Sequence, residues 1–307
     1  MNIVGKRFWF FLISGVLIII GVISLVTFGI KSGIEFSSGS MLSVKLEQSV
    51  DYTQFKQAIT QLGYKDAIVQ SIGTNEYLIR TQELVEAQKT QLESDLATRF
   101  GVLSESQFYS VSSLVAAETT RNAAIAVAIA LVGILIYVTI AFRKMPNPFR
   151  FGTCSVIALF HDVLVTTGLF SLFGHIFGWE LNLMFITGIL TIIGYSINNT
   201  IVVFDRIREN VIRGVSADFE TVVNNSVVET LARSMNTSLT VLITTLAILL
   251  FVGTTIQNFA IVLLIGNIVG AFDSVFVAPG LLVVWDKNEW SRFIGRRLKP
   301  ATEAKGK

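Results

Sequence analysis

Long stretches of the chain carry no charged side chain. Phe8 to Ile30, Ala123 to Phe142, Leu181 to Phe204 and Ser234 to Phe272 are all uncharged. A helix needs roughly 20 apolar residues to cross the hydrocarbon core of a bilayer, and each stretch qualifies. The last is long enough for most of two spans and breaks at Gly253 to Asn258 (GTTIQN), whose glycine and polar residues suit a tight turn. This predicts a fifth span near Thr237 to Val252 and a sixth near Phe259 to Trp285. A third, near Phe151 to Gly174, is interrupted by His161 and Asp162. The pattern therefore predicts six membrane-spanning helices with both termini on one side. Phe8 to Ile30 is longer than the apolar core of a secretory signal, and no clear small-residue cleavage site follows it, so it reads as a retained anchor.

Between the first two spans the period changes. Met41 to Glu47 (MLSVKLE) alternates like a half-buried strand. Asp51 is placed to cap a helix through Leu62, in which Phe55, Ile59 and Leu62 share a face. Ala67 to Ile72 and Glu76 to Thr81 read as strands around a Gly-Thr-Asn turn, Glu83 to Phe100 as a second helix, and Gln107 to Val111 as a last short strand. The order βαββαβ predicts a small ferredoxin-like α+β unit. The chain thus divides into a first helix with a short lead (1–30), the α+β unit (31–120), helices two to six (121–286) and a basic tail (287–307). The α+β unit shows no nucleophile–base constellation, so no enzyme activity is expected.

Composition agrees with a membrane protein: of 307 residues, 52% are hydrophobic and 15% charged. Charge distribution adds orientation. Lys6, Arg7, Arg143, Lys144, Arg150, Arg206, Arg208, Arg213, Arg233 and the basic residues after Trp285 fall on one face of the six-span arrangement. The remaining Lys and Arg all lie between Lys31 and Arg121. The positive-inside rule makes the first face cytoplasmic and residues 31–120 extracytoplasmic; longer folded segments cross regardless of charge. No basic tract interleaved with aromatics is present, which argues against nucleic acid. The single Cys154 excludes an internal disulfide and a cysteine-based metal site; no metal or cofactor is expected.

Ionisable groups at membrane depth are costly and point to function. Counted from Arg150 at 1.5 Å per residue, Asp162 lies about 18 Å deep, and Ser155, Asp162 and Thr166 share its helical face. Asp273 is near the middle of the sixth span. An acid needed only to join helices would be cheaper as Asn, so both acids are read as functional. Arg233 is near the cytoplasmic edge, where an arginine can snorkel. Thr187, Thr191, Asn198 and Asn199 form a polar stripe on the fourth span with Gly188 and Gly194. Gly266, Gly270 and Ser274 recur every four residues on the sixth, a spacing that permits close helix approach.

Several segments together carry a family resemblance. Ile197 to Asn210 (INNTIVVFDRIREN) resembles the fourth-span signature of the SecF family, and Gly33 to Ser40 (GIEFSSGS) the glycine box after the first span. Ala158 to Val163 (ALFHDV), Leu231 to Thr240 (LARSMNTSLT) and Gly266 to Ala278 resemble the third-, fifth- and sixth-span motifs. The resemblance implies a half-unit of the resistance-nodulation-division fold that pairs with SecD on the SecYEG channel of the bacterial inner membrane. There it would assist the exit of unfolded polypeptide using a proton or sodium gradient, with YidC and YajC as further partners. It also implies coupling residues at positions 199 and 233. Position 199, normally Asp, is Asn here and cannot exchange a proton near physiological pH. Asp273 stands where the family usually has a small residue, so Asp273, with Asp162, is expected to supply the missing carboxylate. The alternatives are a structural subunit without ion coupling and half of a small-molecule or lipid exporter.

Overall fold

Six helices of the computed structural model are long and apolar enough to cross a membrane. The structure describes residues 1–101, 103–251 and 256–292. The spanning helices are α1 (Arg7–Thr27), α5 (Ser113–Ala141), α6 (Pro148–Phe177), α7 (Leu183–Ile212) and α8 (Phe219–Phe251). The sixth is composite: α9 (Gln257–Phe272), a π-helical turn (Asp273–Val277) and α10 (Ala278–Asp286). The turn expected at Gly253 to Asn258 lies largely outside the described residues, as does the tail beyond Arg292.

Two of these helices differ from the sequence pattern. α8 begins at Phe219, well before the apolar start at Thr237, because Val222, Val223, Ser226, Val227 and Thr230 recur on one face and are buried. Asp218, Glu220, Glu229 and Arg233 in and around this stretch hid the extension from a hydropathy reading. The π turn has a local cause in Pro279, which lacks an N–H and would crowd the Val275 carbonyl in a regular helix. A wider turn just before the proline relieves that conflict.

The α+β unit follows the expected order. Strands β1 (Gly39–Leu46), β2 (Ile68–Gly73), β3 (Glu76–Thr81) and β4 (Leu103–Val111) form an antiparallel sheet in the order β2-β3-β1-β4. Helices α3 (Tyr52–Gln61) and α4 (Glu86–Phe100) cover one face. Asp51 caps α3 by accepting from the Thr53 and Gln54 N–H groups at 2.8 and 3.3 Å. Phe55, Ile59, Leu92 and Leu96 from the helices bury against Leu42, Val44 and Ile79 from the sheet, a core separate from that of the bundle.

This unit is stitched to the loop between α6 and α7. The Gly33 N–H donates to the Leu181 carbonyl at 2.7 Å, and the Leu181 N–H to the Lys31 carbonyl at 2.8 Å. Arg80 on β3 pairs with Glu180, which is 7% exposed and whose backbone carbonyl accepts from Asn258 Nδ2 at 2.8 Å. Burial lowers the Arg80 pKa, and the nearby Glu35 carboxylate works against that shift. Arg80→Ala leaves Glu180 buried without its cation and should cost about 3 kcal/mol. Thermal unfolding of the purified chain checks this, and Arg80→Leu combined with Glu180→Leu should recover most of the loss. The opposite end of the bundle is tied by a second ionic group. Arg7 reaches Glu220 at 2.9 Å and Glu289 at 2.5 Å, Lys287 pairs with Glu220, and Arg150 reaches Asp286 at 2.7 Å.

Candidate functional site

The polar centre of the bundle is built by α6, α7 and the π turn. His161 and Asp162 are consecutive on α6, and Asp273 opens the π turn that follows α9. His161 Nδ1 lies 3.3 Å from Asp162 Oδ1 and 3.4 Å from Asp273 Oδ1. Exposure is 6% for His161 and 0% for both aspartates. From α7, the Ser196 hydroxyl donates to Asp162 Oδ2 at 2.5 Å. The two aspartates differ in support: among the described residues neither Asp273 oxygen accepts a hydrogen bond, and His161 Nε2 has no partner. The ligand atoms of the trio all lie within 4.8 Å of one another. Two carboxyls and an imidazole in so dry a place cannot all be charged without partners, because unpaired buried charge is expensive.

The other sequence-derived site residues fall in three places. Asn199 is buried one turn after Ser196 and donates from Nδ2 to Ser238 Oγ on α8 at 3.2 Å. Ser196, Asn199, Asn267 and Gly270 line one crevice, so Asn199 is near the trio without belonging to it. Arg233 is exposed on α8 and makes no ion pair among the described residues. Gly188, Gly266 and Gly270 lie where α7 meets α9. A Cβ at Gly188 would stand 2.7 Å from Val262 Cγ1, one at Gly266 2.9 Å from Ile192 Cγ2, and one at Gly270 3.0 Å from Ser196 Cβ. Ser274 is buried in the π turn, its hydroxyl donating to the Ala271 carbonyl at 3.2 Å. Gly194 departs from the packing role read for it: a Cβ there would meet nothing within 4 Å among the described residues. Its side of α7 turns outward, and with it go Thr187 and Asn198; the stripe read as one face is therefore split by the helical period.

His161 and Ser196 were missed as site residues. His161 reads in the sequence as an interruption of a span, yet it is the link between the two acids. Its adjacency to Asp162 was the available signal. Nothing in the sequence singled out Ser196, whose role depends on how α7 is rotated against α6.

Six apolar helices with an ionisable trio inside the bundle define a multi-pass membrane protein with a buried polar centre. The family model described as protein export membrane protein SecD/SecF, C-terminal, matches residues 91–288. The chain belongs to the SecD/SecF family. It is 42% identical to the protein translocase subunit SecF of Thermobaculum terrenum over 99% of both chains. It is 34% identical to the protein translocase subunit SecDF of Bacillus subtilis, covering 93% of this chain and 38% of that protein. The crystal structure of SecDF from Thermus thermophilus, a translocon-associated membrane protein, superimposes with a TM-score of 0.81 at 31% identity. That match covers 94% of this chain and 39% of the larger one.

Proposed function

We propose that this chain is the SecF-type half of a SecD–SecF pair, seated on the SecYEG channel in the bacterial cytoplasmic membrane, that uses an ion gradient to assist protein export. The observation that carries the pairing is the outward polar face of α7 and α8. Thr187, Asn198, Arg233, Thr240 and Thr244 are exposed on the single chain. Polar groups facing lipid in the hydrocarbon region are unfavourable, and a second half-bundle would cover them. The SecDF relatives, which are more than twice as long as this chain, support the same arrangement.

Both termini are then cytoplasmic by the distribution of Lys and Arg, and residues 31–120 lie outside. Asp162 and Asp273 are the groups through which the gradient acts. Asn199 lines the approach to them, and Arg233 faces the partner. The role is mechanical and needs no enzymatic site.

Reconstitution tests the pairing. Vesicles holding the SecYEG channel should show gradient-stimulated export when this chain and SecD are both present, and none when either is omitted. Stimulation by this chain without SecD would overturn the proposal.

A further inference from the structure

We propose that the His161–Asp162–Asp273 trio is a proton-binding site in which His161 passes the proton between the two carboxylates, and that the site takes a proton rather than Na⁺. This deepens the coupling reading above and rests on it.

Charge balance and geometry support the inference independently. His161 Nδ1 is almost equidistant from the two acids, at 3.3 and 3.4 Å, and one ring nitrogen can serve only one carboxylate well at a time. The acceptors are unequal in a useful way. Asp162 is held by the Ser196 hydroxyl, whereas both Asp273 oxygens are buried without a hydrogen bond. Asp273 also opens a π turn, the one place in the sixth span where the backbone register departs from the α-helix. The site therefore combines a fixed acid, a free acid and a ring that reaches both.

Among the described residues, no other charge faces the trio. On α1, Arg7 is paired with Glu220 of α8 and Glu289; on α6, Arg150 pairs with Asp286 of α10, and His175 stacks on Phe28 at the far end. On α7, Asp205, Arg206, Arg208 and Glu209 form ion pairs near the helix end, together with Glu229 of α8. Arg233 and Tyr195 are exposed, and Cys154 lies about two turns away along α6. The adjoining polar groups on α7, Ser196 and Asn199, are neutral.

The donor set selects the ion. A hard cation such as Na⁺ is held by several oxygen ligands, and imidazole is a poor substitute for one of them. Ser196 already commits its proton to Asp162. A proton needs only one nitrogen and one oxygen. The crevice lined by Ser196, Asn199, Asn267 and Gly270 comes nearest the trio, and Ser196 joins the two by donating to Asp162. Gly270 leaves room at that junction, since a Cβ there would lie 3.4 Å from Asp162 Oδ2 and 3.2 Å from Ser196 Oγ.

The chain has two histidines, so His175→Gln leaves His161 as the sole histidine signal in a ¹⁵N-histidine NMR experiment on the purified full chain. The expected result is one change of ring protonation within the pH range in which the chain stays folded. It should be unchanged when NaCl replaces choline chloride, and moved by about one pH unit or more, tenfold in proton affinity, in Asp273→Asn. A ring fixed in one state across that range, displacement by Na⁺, or stoichiometric Zn²⁺ in the purified protein would each overturn the proposal. If Asp273→Asn does not fold, Ser196→Ala and Asp273→Glu serve in its place, and an unmoved transition in both counts against it. Export with SecD separates the two levels. A titrating His161 with export indifferent to Asp273 would leave the proton site and remove the coupling role. Export that needs Asp273 with a silent His161 would do the reverse.

Discussion

Gly168→Ala is expected to destabilise the chain by about 2–3 kcal/mol, more than a single methyl group usually does in a membrane helix. The reason is the crossing of α1 and α6. A Cβ at Gly168 would fall on Gly21 Cα and lie 2.9 Å from Gly21 C and 3.1 Å from Gly21 O. These are backbone atoms, so no side chain can rotate away and the helices must separate. Separation would also pull apart the Ser24 and Ser171 hydroxyls, now 3.1 Å apart, and the Ser171 bond to the Gly29 carbonyl at 2.5 Å. Between helices in lipid, close packing and such hydrogen bonds supply much of the association. Cys154 gives a direct readout: it is the only cysteine and is fully buried, so a thiol-reactive dye reports unfolding on heating. Gly133→Ala is the matched control, because a Cβ there meets nothing within 4 Å among the described residues. That variant should keep or slightly raise the midpoint, as alanine favours a helix by about 1 kcal/mol over glycine. Equal midpoints for the two variants would show that the α1–α6 crossing adapts to a side chain.

The contrast between these glycines shows where sequence reading stops. The spans were legible because crossing a bilayer requires length and apolarity, and composition records both. The α+β unit was legible from local signals such as the alternation in MLSVKLE and the Asp51 cap. Gly21 and Gly168 carry no such signal: in an apolar run, a glycine that touches another backbone looks the same as Gly133 or Gly194, where a Cβ would meet nothing within 4 Å among the described residues. The difference lies in the rotation of one helix against its neighbour. The same limit explains the site. Asp162 and Asp273 stood out as acids at membrane depth, but their shared contact with His161 depends on how the sixth span is rotated against α6. Arg233, read from the sequence as lying near the cytoplasmic edge, faces outward on the structure.

That separation makes the consequence of losing one acid specific. With SecD and the channel present, Asp273→Asn should reduce gradient-stimulated export to background while leaving the chain inserted and paired. The substitution keeps the size and polarity of the side chain and removes only its ability to ionise. Asp162 would remain, held by Ser196, but His161 would have one acid to serve instead of two. Asn199→Asp is the informative companion. It places a carboxylate on the crevice wall beside Ser196, at the position where the resemblance to the family expects one. In the Asp273→Asn background it should restore part of the gradient dependence, because Ser196, on the same crevice wall, donates to Asp162. Measuring export with and without the gradient, in vesicles of matched chain content, distinguishes coupling from assembly. If Asp273→Asn is silent while Asn199→Asp alone raises gradient dependence, the carboxylate at 273 is only a polar contact in the π turn. The asparagine at 199 would then mark a chain that pairs with SecD without coupling to the gradient. If both changes are silent, the buried trio joins helices and the subunit is structural.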